Sequence, residues 1–162
     1  MGNTLIILSG GADPLHKGHI ELIEKASKFG DVCFILNTDE WLTNKKGKPF
    51  MCLEERMKIM SSLRLVKHVV PQIDTDTTVC KTIEHIVVSR SVDAPEFMDK
   101  RFITIFPDDD PLYNAYLFGN GGDRAKLNTP EVDTCIELGV GLVWGLGDKI
   151  QSSSELIKNA AK

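Results

Sequence analysis

The sequence lacks a long apolar run. It also lacks a positively charged segment followed by an apolar stretch ahead of the first predicted strand. Its apolar runs, such as Thr4-Leu5-Ile6-Ile7-Leu8, are only a few residues long, whereas a membrane-spanning helix needs about 20 consecutive apolar residues. A secretory leader would place positive charge before an apolar segment at the N-terminus. We therefore expect a cytoplasmic protein that has no membrane partner.

The sequence also lacks an excess of positive charge and any closely spaced pair of cysteines. Lys and Arg number 19 against 23 Asp and Glu, for a net charge of −4, whereas a nucleic-acid-binding surface is normally basic. We therefore expect no nucleic-acid partner. Because no CxxC pair suggests zinc or redox chemistry, we expect reduced, mostly structural thiols at Cys33, Cys52, Cys80 and Cys135.

Repeats, low-complexity tracts and proline-rich linkers are absent as well, and apolar runs alternate with helical periodicity along the chain. A chain of 162 residues, 42% of them hydrophobic, suits one domain over residues 1–162. Alternation of strands and helices predicts an α/β fold, a Rossmann-like doubly wound five-stranded parallel sheet. The predicted strands are 4–8, 31–37, 66–70, 113–118 and 140–144, and the predicted helices are 18–30, 53–65, 77–90, 130–138 and 152–161.

Two segments do not fit this alternation. Residues 38–49 are polar and contain three lysines around Gly47, so we expect a mobile loop there. Residues 91–111 combine a short apolar piece with the acidic run Asp108-Asp109-Asp110. We expect a small insert in that region, either a hairpin, a lid or a partner-binding flap, with the acidic run as exposed surface.

The turn between the first strand and the first helix is suited to binding an anion. Gly10, Gly11 and Gly18 have no Cβ, so a phosphate could approach the backbone closely, and the first turn of a helix presents unpaired N–H groups. His16 and His19 lie three residues apart at that helix start. Two imidazoles there can stabilise charge that develops on a phosphate. A surface turn with two solvated histidines is the alternative.

The same stretch resembles a known signature. Asp13-Pro14-Leu15-His16-Lys17-Gly18-His19 is similar to the (F)DxxHxGH box of the cytidylyltransferase-like nucleotidyltransferase superfamily, although Ala12 stands where the family usually has a large residue. The resemblance implies a Rossmann-like fold and nucleotide transfer. It implies catalytic roles for His16 and His19, and nucleotide contacts for the turn, including Gly10, Gly11, Asp13 and Gly18.

Two lysines and an arginine extend the resemblance. The stretch 38–45 is similar to one that supplies lysines to the reacting phosphates in glycerol-3-phosphate cytidylyltransferase, which implies a catalytic role for Lys45 and a nucleotide contact for Lys46. Alone, this stretch would be interpreted as a solvated charge run. Residues 49–57 resemble a segment of the heptose adenylyltransferases. There Arg56 either contacts a phosphate or pairs with Glu54 or Asp39.

Two further motifs lie near the C-terminal end of the sequence. Residues 119–123 resemble the Lys-Gly-Gly-Asp turn of the heptose enzymes, which implies nucleotide contacts for Asn120, Gly122 and Asp123; an ordinary tight turn is the alternative. Residues 149–157 resemble the Ile-Ser-Thr-Thr box that opens the last helix in these enzymes. This implies that the serines at 152–154 hold the departing pyrophosphate, whereas a single helix cap would need only one serine. The three are Ser152, Ser153 and Ser154.

Because ligands bind beyond the carboxyl ends of parallel strands, we expect the polar clusters after strands one, two, four and five to meet at one edge. The predicted function is transfer of a nucleoside monophosphate from ATP or CTP to a phosphorylated small molecule, with a sugar phosphate favoured, and with release of pyrophosphate. Mg²⁺ would be bound through the nucleotide phosphates, and the resemblance implies a homodimer. The alternatives are a cytidylyltransferase for a polyol or amino-alcohol phosphate, and a non-catalytic nucleotide-binding module.

Overall fold

A computed structural model describes residues 3–90, 112–122, 128–147 and 151–161. Its centre is a five-stranded sheet with the strand order β3-β2-β1-β4-β5, and all neighbouring strands are parallel. The predicted doubly wound parallel sheet is confirmed. The strands are β1 (Thr4–Gly10), β2 (Asp31–Leu36), β3 (Val66–Pro71), β4 (Ala115–Gly119) and β5 (Gly141–Val143).

Helices cover both faces of the sheet, which explains why the strands are apolar at successive positions. On β1, Leu5 and Ile7 pack on one face, and Ile6 and Leu8 pack on the other. None of these four side chains is exposed to solvent. In the described ranges the helices are α1 (Lys17–Ala26), α2 (Asp39–Lys46), α3 (Leu53–Ser61), α4 (Cys80–Arg90), α5 (Val132–Leu138) and α6 (Ser153–Ala160).

The chain changes direction across the sheet beside β1. It runs from β1 through β2 to β3 on one side and returns to place β4 and β5 on the other. The core on the face with α1 and α3 includes Ile23 and Met60, and the core on the face with α4 and α5 includes Ile83 and Cys135. The switch point therefore lies at the end of β1, between two helix-covered faces.

The prediction of a mobile loop at residues 38–49 is wrong, because most of this segment forms α2. The Thr38 hydroxyl accepts the N–H of Trp41 at 3.1 Å, acidic residues occupy the first turn and lysines the last, and Gly47 ends the helix with φ 88°. Capping and charge placement of this kind stabilise a helix. Leu42 is the buried residue of this helix, so the segment has no hydrophobic periodicity.

Other predictions are confirmed with shifted boundaries or lie outside the described residues. The helix predicted at 53–65 ends at Ser61, and the one predicted at 130–138 spans Val132–Leu138 and ends at Gly139 with φ 70°. The insert at 91–111 lies outside the described residues. No helix in the described ranges is long and apolar enough to cross a membrane.

The four cysteines form no disulfide. Cys33 and Cys135 are buried in the core, and burial raises the pKa of both thiols. Protonated, buried thiols are unreactive, which agrees with a structural role for these two. Cys52 is exposed.

Candidate active site

A cavity of about 550 Å³ lies at the carboxyl ends of the strands. It brings together the turn after β1, the helix after β2 and the serines before and within α6, so three of the four predicted clusters meet there. Its described lining also includes residues from the segment after β3 and from the start of α5. The lining residues are Ser9, Gly10, Gly11, Ala12, Asp13, His16, His19, Asn37, Trp41, Leu42, Lys45, Lys46, Thr77, Val79, Glu131, Ser152, Ser153 and Ser154.

The rings of the two predicted catalytic histidines lie close together, tilted by 34°, at the start of α1. Their ring centroids are 3.9 Å apart. His16 Nδ1 accepts the N–H of Gly18 at 3.1 Å, and His19 Nδ1 accepts the N–H of His16 at 3.1 Å. Because each Nδ1 is an acceptor, we assign the ring proton of each neutral imidazole to Nε2. The Nε2–H groups are therefore the donors that a ligand in the cavity can use.

Both imidazoles are kept neutral by their surroundings. Burial lowers the pKa of His16 below its ordinary value. Burial, with a smaller contribution from the charge of His16, lowers the pKa of His19 from 6.5 to about 4. The short distance between the two rings explains the second contribution, because two imidazolium ions at this distance would repel each other. A bound anion would oppose both shifts.

The glycines of the turn pack against the protein on the side where a Cβ would stand. A Cβ on Gly11 would lie 3.0 Å from Leu42 Cδ2, and one on Gly10 would lie 3.6 Å from a ring carbon of Phe34. Ala12, which follows, has φ 47° and is 4% exposed. A non-glycine residue in this left-handed region carries strain of about 1 to 2 kcal/mol. The chain therefore makes a sharp turn directly under the cavity.

Asp13, predicted to contact the nucleotide, is saturated by the protein itself. The side chain is 1% exposed and accepts the N–H groups of Phe50 at 2.7 Å and Met51 at 2.6 Å. Lys46 Nζ lies 2.7 Å from the carboxylate and 2.8 Å from the Asp13 carbonyl. Burial raises the pKa of Asp13, but the Lys46 and backbone hydrogen bonds outweigh burial and hold it below 3.8. Asp13 and Lys46 thus hold the turn against the segment before α3.

Arg56 is buried beneath the same turn and does not line the cavity. It is 1% exposed, and its guanidinium donates to the carbonyls of Met51, Gly11 and Asn37 at 3.0, 2.9 and 2.7 Å. It also pairs with Asp39 at 2.8 Å. Of the two roles left open by the sequence, the structure shows pairing with Asp39. We call Asp13, Lys46, Arg56 and Asp39 the polar anchor.

Lys45 lies on the cavity side of α2. Its Nζ is 4.8 Å from the centroid of the Trp41 ring, and both residues line the cavity. Trp41 Nε1 donates to the Thr77 carbonyl at 3.4 Å, which joins α2 to the segment after β3. Because Lys45 is exposed and carries a flexible ammonium, it can approach a bound phosphate.

The three serines have different surroundings. Ser152 caps α6, since its hydroxyl accepts the N–H of Glu155 at 3.4 Å. Ser153 donates to the Pro14 carbonyl at 2.8 Å, which ties the start of α6 to the turn after β1. Ser154 is exposed and lines the cavity. The start of α6 therefore supplies hydroxyl and N–H groups beside the histidine pair, an arrangement suited to phosphate oxygens.

The other residues predicted to contact the nucleotide are not among the described residues that line this cavity. Gly18 lies in α1, and its N–H serves His16. Gly122 is in an exposed turn and donates to the Gly147 carbonyl at 2.7 Å. Asn120 is 3% exposed, and among the described residues its side-chain nitrogen has no partner. Asp123 lies outside the described residues, so its nucleotide contact stays a prediction.

Several lining residues were missed from the sequence, and Glu131 is the most informative. It directly precedes α5, is 3% exposed, and accepts the N–H of Val79 at 3.2 Å through Oε1. The sequence did contain one indication of its position: Pro130 marks a helix start, and helix starts at this edge of the sheet lie near the ligand site. Its partner Val79 is 52 residues away, however, and no local pattern indicates that contact.

Comparisons with known proteins agree with this geometry. A family model described as cytidylyltransferase-like matches residues 7–134. The glycerol-3-phosphate cytidylyltransferase of Bacillus subtilis (strain 168) is 33% identical over 81 residues, which are 49% of this chain and 63% of the relative. The bifunctional protein HldE of Haemophilus influenzae (strain PittEE) is 28% identical over 130 residues, or 78% of this chain and 25% of the relative. This chain therefore spans less than two thirds of either relative.

A solved structure shows the same fold. It is described as the crystal structure of the lipopolysaccharide core biosynthesis protein from Thermoplasma volcanium GSS1, and it aligns with a TM-score of 0.55 at 19% sequence identity. The alignment covers 88% of this chain and 96% of that protein. At this identity the likeness shows the architecture of the sheet and helices.

Proposed function

The chain belongs to the cytidylyltransferase-like family, and from that membership we propose that it is a nucleotidyltransferase. In this proposal it transfers a nucleoside monophosphate from ATP or CTP to a phosphorylated small molecule and releases pyrophosphate. The observation that carries the proposal is the shared cavity. His16, His19 and the three serines, more than 130 positions apart in sequence, line the same cavity.

In the proposed reaction an oxygen of the acceptor phosphate attacks the α-phosphorus of the triphosphate. The bond from that phosphorus to the bridging oxygen breaks in line, and pyrophosphate leaves. The Nε2–H groups of His16 and His19 donate to oxygens that gain charge in the transition state, and Lys45 supplies a mobile positive charge. Ser154 and the first turn of α6 hold the leaving pyrophosphate. Positioning and charge stabilisation account for catalysis, with no covalent intermediate on the protein.

Mg²⁺ fits the proposal as an ion held by the triphosphate. In the described part of the chain, no group of three or more His, Cys, Asp or Glu side chains is arranged to hold a metal, and Asp13 is already saturated by Lys46 and two N–H groups. Magnesium commonly binds through substrate phosphates with few protein ligands. When bound, it would neutralise charge on the pyrophosphate.

Two acceptor classes follow from the resemblances. The glycine turn at residues 121–122 resembles that of the heptose enzymes, which favours a sugar phosphate. The similarity to a glycerol-3-phosphate cytidylyltransferase favours CTP and a polyol phosphate instead. Both alternatives place the same groups around the reacting phosphates.

The proposal is tested by measuring pyrophosphate release with ATP or CTP against a panel of sugar, polyol and amino-alcohol phosphates in the presence of Mg²⁺. His16→Ala is expected to reduce the rate of the productive pair by about 100- to 1000-fold. Lys28→Ala, at an exposed position just after α1, is the control and is expected to leave the rate unchanged. Full activity of His16→Ala would contradict the mechanism. Triphosphate binding without turnover for any pair would indicate a non-catalytic nucleotide-binding module.

We also propose a homodimer on the strength of the family resemblance. Light scattering on the purified chain, with and without triphosphate, measures the mass directly. A mass of 18.0 kDa at all concentrations would contradict a dimer.

A further inference from the structure

Glu131 is a buried carboxylate in the cavity wall that the proposed reaction does not use. Oε1 accepts the N–H of Val79 at 3.2 Å. Among the described residues, Oε2 has no hydrogen-bond partner, and the residue is only 3% exposed. A buried carboxylate oxygen without a partner is unfavourable. Because Glu131 lines the cavity, a ligand bound there can supply the missing hydrogen-bond donor.

Glu131 does not cap the helix that it precedes. An acidic side chain at a helix start commonly accepts an N–H of the first turn, but Glu131 forms no such hydrogen bond with α5. It reaches instead to Val79, and both residues line the cavity. The fold thus satisfies one carboxylate oxygen and leaves the other, in the wall of the cavity, without a partner among the described residues.

The position of Glu131 indicates which part of a ligand it contacts. Val79 packs in the core on the face with α4 and α5, whereas the histidines begin α1 on the opposite face. The helix starts of α1 and α6 favour phosphate, and a carboxylate repels it. Phosphate groups are therefore expected near the histidines and serines, with a phosphate-free part of the ligand beside Glu131.

A hydroxyl matches this carboxylate better than an ammonium group does. Lys46 is already paired with Asp13, but Lys45 also lines the cavity, so a cationic acceptor would meet the positive charge of Lys45, whereas a hydroxyl brings no second charge. We propose that Glu131 accepts a hydrogen bond from a hydroxyl of the acceptor. On this proposal, which rests on the proposed function, the site selects sugar or polyol phosphates over amino-alcohol phosphates and over phosphates that carry a carboxylate.

Glu131→Gln is the informative variant, because glutamine keeps an oxygen for the Val79 N–H and places a donor where Oε2 stood. Asp133→Asn, at an exposed position on α5, is the matched control. ATP, CTP, glycerol 3-phosphate, glucose 1-phosphate, phosphoethanolamine and 3-phosphoglycerate are titrated separately into each protein by calorimetry. Pyrophosphate release is measured for every pair, and thermal unfolding checks that each variant is folded.

We expect a hydroxylated phosphate to be the best acceptor of the wild type. Glu131→Gln is expected to raise its KM and its dissociation constant by about 10- to 100-fold while triphosphate binding stays unchanged. Equal weakening of ATP or CTP binding would place Glu131 in the nucleotide site and overturn the assignment. Unchanged acceptor binding, or preference of the wild type for phosphoethanolamine, would also overturn it.

Failure of the proposed function has a different signature. A wild type that binds neither ATP nor CTP and releases no pyrophosphate would contradict nucleotide transfer. If such a protein still bound glycerol 3-phosphate or glucose 1-phosphate, and Glu131→Gln weakened that binding, the hydroxyl contact would be supported independently of the proposed function. Absence of binding by both compounds would overturn it.

Discussion

Two buried carboxylates line the cavity, and the protein satisfies them to different extents. Asp13 is paired with Lys46 and accepts two backbone N–H groups, whereas Glu131 accepts one N–H and has an oxygen without a donor in the described chain. A saturated buried charge stabilises the local fold, and a half-satisfied one lowers stability until a ligand binds. The difference separates residues that build the site from residues that are available to its ligand.

The same contrast predicts which substitutions affect folding and which affect turnover. Members of the polar anchor, defined above as Asp13, Lys46, Arg56 and Asp39, should alter stability. Groups that face the cavity, such as Lys45 and Glu131, should alter ligand binding or rate. Three comparisons of variants test this separation and a fourth tests the pH dependence of stability; they are given in order of decreasing effect.

Arg56→Met is expected to cause the largest loss. It removes the donor to three backbone carbonyls and to Asp39, and breaking a buried charged network costs about 3 to 5 kcal/mol. The free energy of unfolding, measured with denaturant, checks this value. Arg64→Met changes an exposed arginine and should cost less than about 0.5 kcal/mol. Equal stability of the two variants would remove the structural role assigned to Arg56.

Asp13→Asn contrasts most directly with Glu131→Gln. Asparagine cannot accept all three hydrogen bonds now made to the Asp13 carboxylate, so the free energy of unfolding should fall by about 2 to 4 kcal/mol. Glu131→Gln keeps the Val79 contact and removes a half-satisfied charge, so stability should be unchanged or higher. Chemical denaturation of both variants at neutral pH gives the comparison. A larger loss for Glu131→Gln would reverse the roles of the two carboxylates.

His19 makes stability depend on pH. Its pKa is about 4 in the folded protein and 6.5 ordinarily, so between these values the unfolded chain binds more protons and acid favours unfolding. The wild type should lose roughly 2 to 3 kcal/mol as pH falls from about 7.5 to about 4.5. His19→Asn should lose less over the same range, as measured by denaturant unfolding at each pH. Parallel pH profiles would contradict the lowered pKa.

The neighbouring lysines provide the smallest and most local contrast. Lys45→Ala should reduce pyrophosphate release by about 10- to 100-fold, because in the proposed mechanism its charge stabilises the transition state, and it should leave the unfolding midpoint unchanged. Lys46→Ala should lower stability by about 1 to 2 kcal/mol, since it leaves Asp13 without its cation. Lys48→Ala, at an exposed position beyond α2, is the control for both readouts. Equal effects of Lys45→Ala and Lys46→Ala on stability would contradict the separation.

Hydrophobic patterning was sufficient to predict the sheet and most helices. Strands buried on both faces have continuous apolar runs. Residues such as Ile6 and Phe34 could therefore be predicted to lie in buried strands without knowing which strands pair with each other. The meeting of three polar clusters at the cavity could be predicted because ligands bind beyond the carboxyl ends of parallel strands. Patterning failed at α2, where Leu42 is the buried side chain and the helix depends on the Thr38 cap and on charge placement.

Long-range contacts set the limit on predicting the site. From the sequence, Arg56 could either contact a phosphate or form an ion pair. The choice could not be made because Arg56 is buried by contacts with the carbonyls of positions 11 and 37, which are far from it in sequence. Beyond the helix start at Pro130, the sequence gave no signal for the contact of Glu131, because its partner Val79 comes from another helix start. The sequence likewise did not indicate that the Asp13 carboxylate is fully hydrogen-bonded within the protein, since its donors lie 33 to 38 positions away.

The hydrogen bond from Ser153 to the Pro14 carbonyl spans 139 positions of the chain and has a consequence for biosynthesis. Synthesis proceeds from the N-terminus, so the histidine turn leaves the ribosome long before the serines do. On the proposed function, in which the serines of α6 hold the phosphates, a nascent chain binds triphosphate only after α6 has emerged. Stalled chains of increasing length should therefore gain ATP- or CTP-dependent resistance to protease abruptly, at the length that exposes this helix.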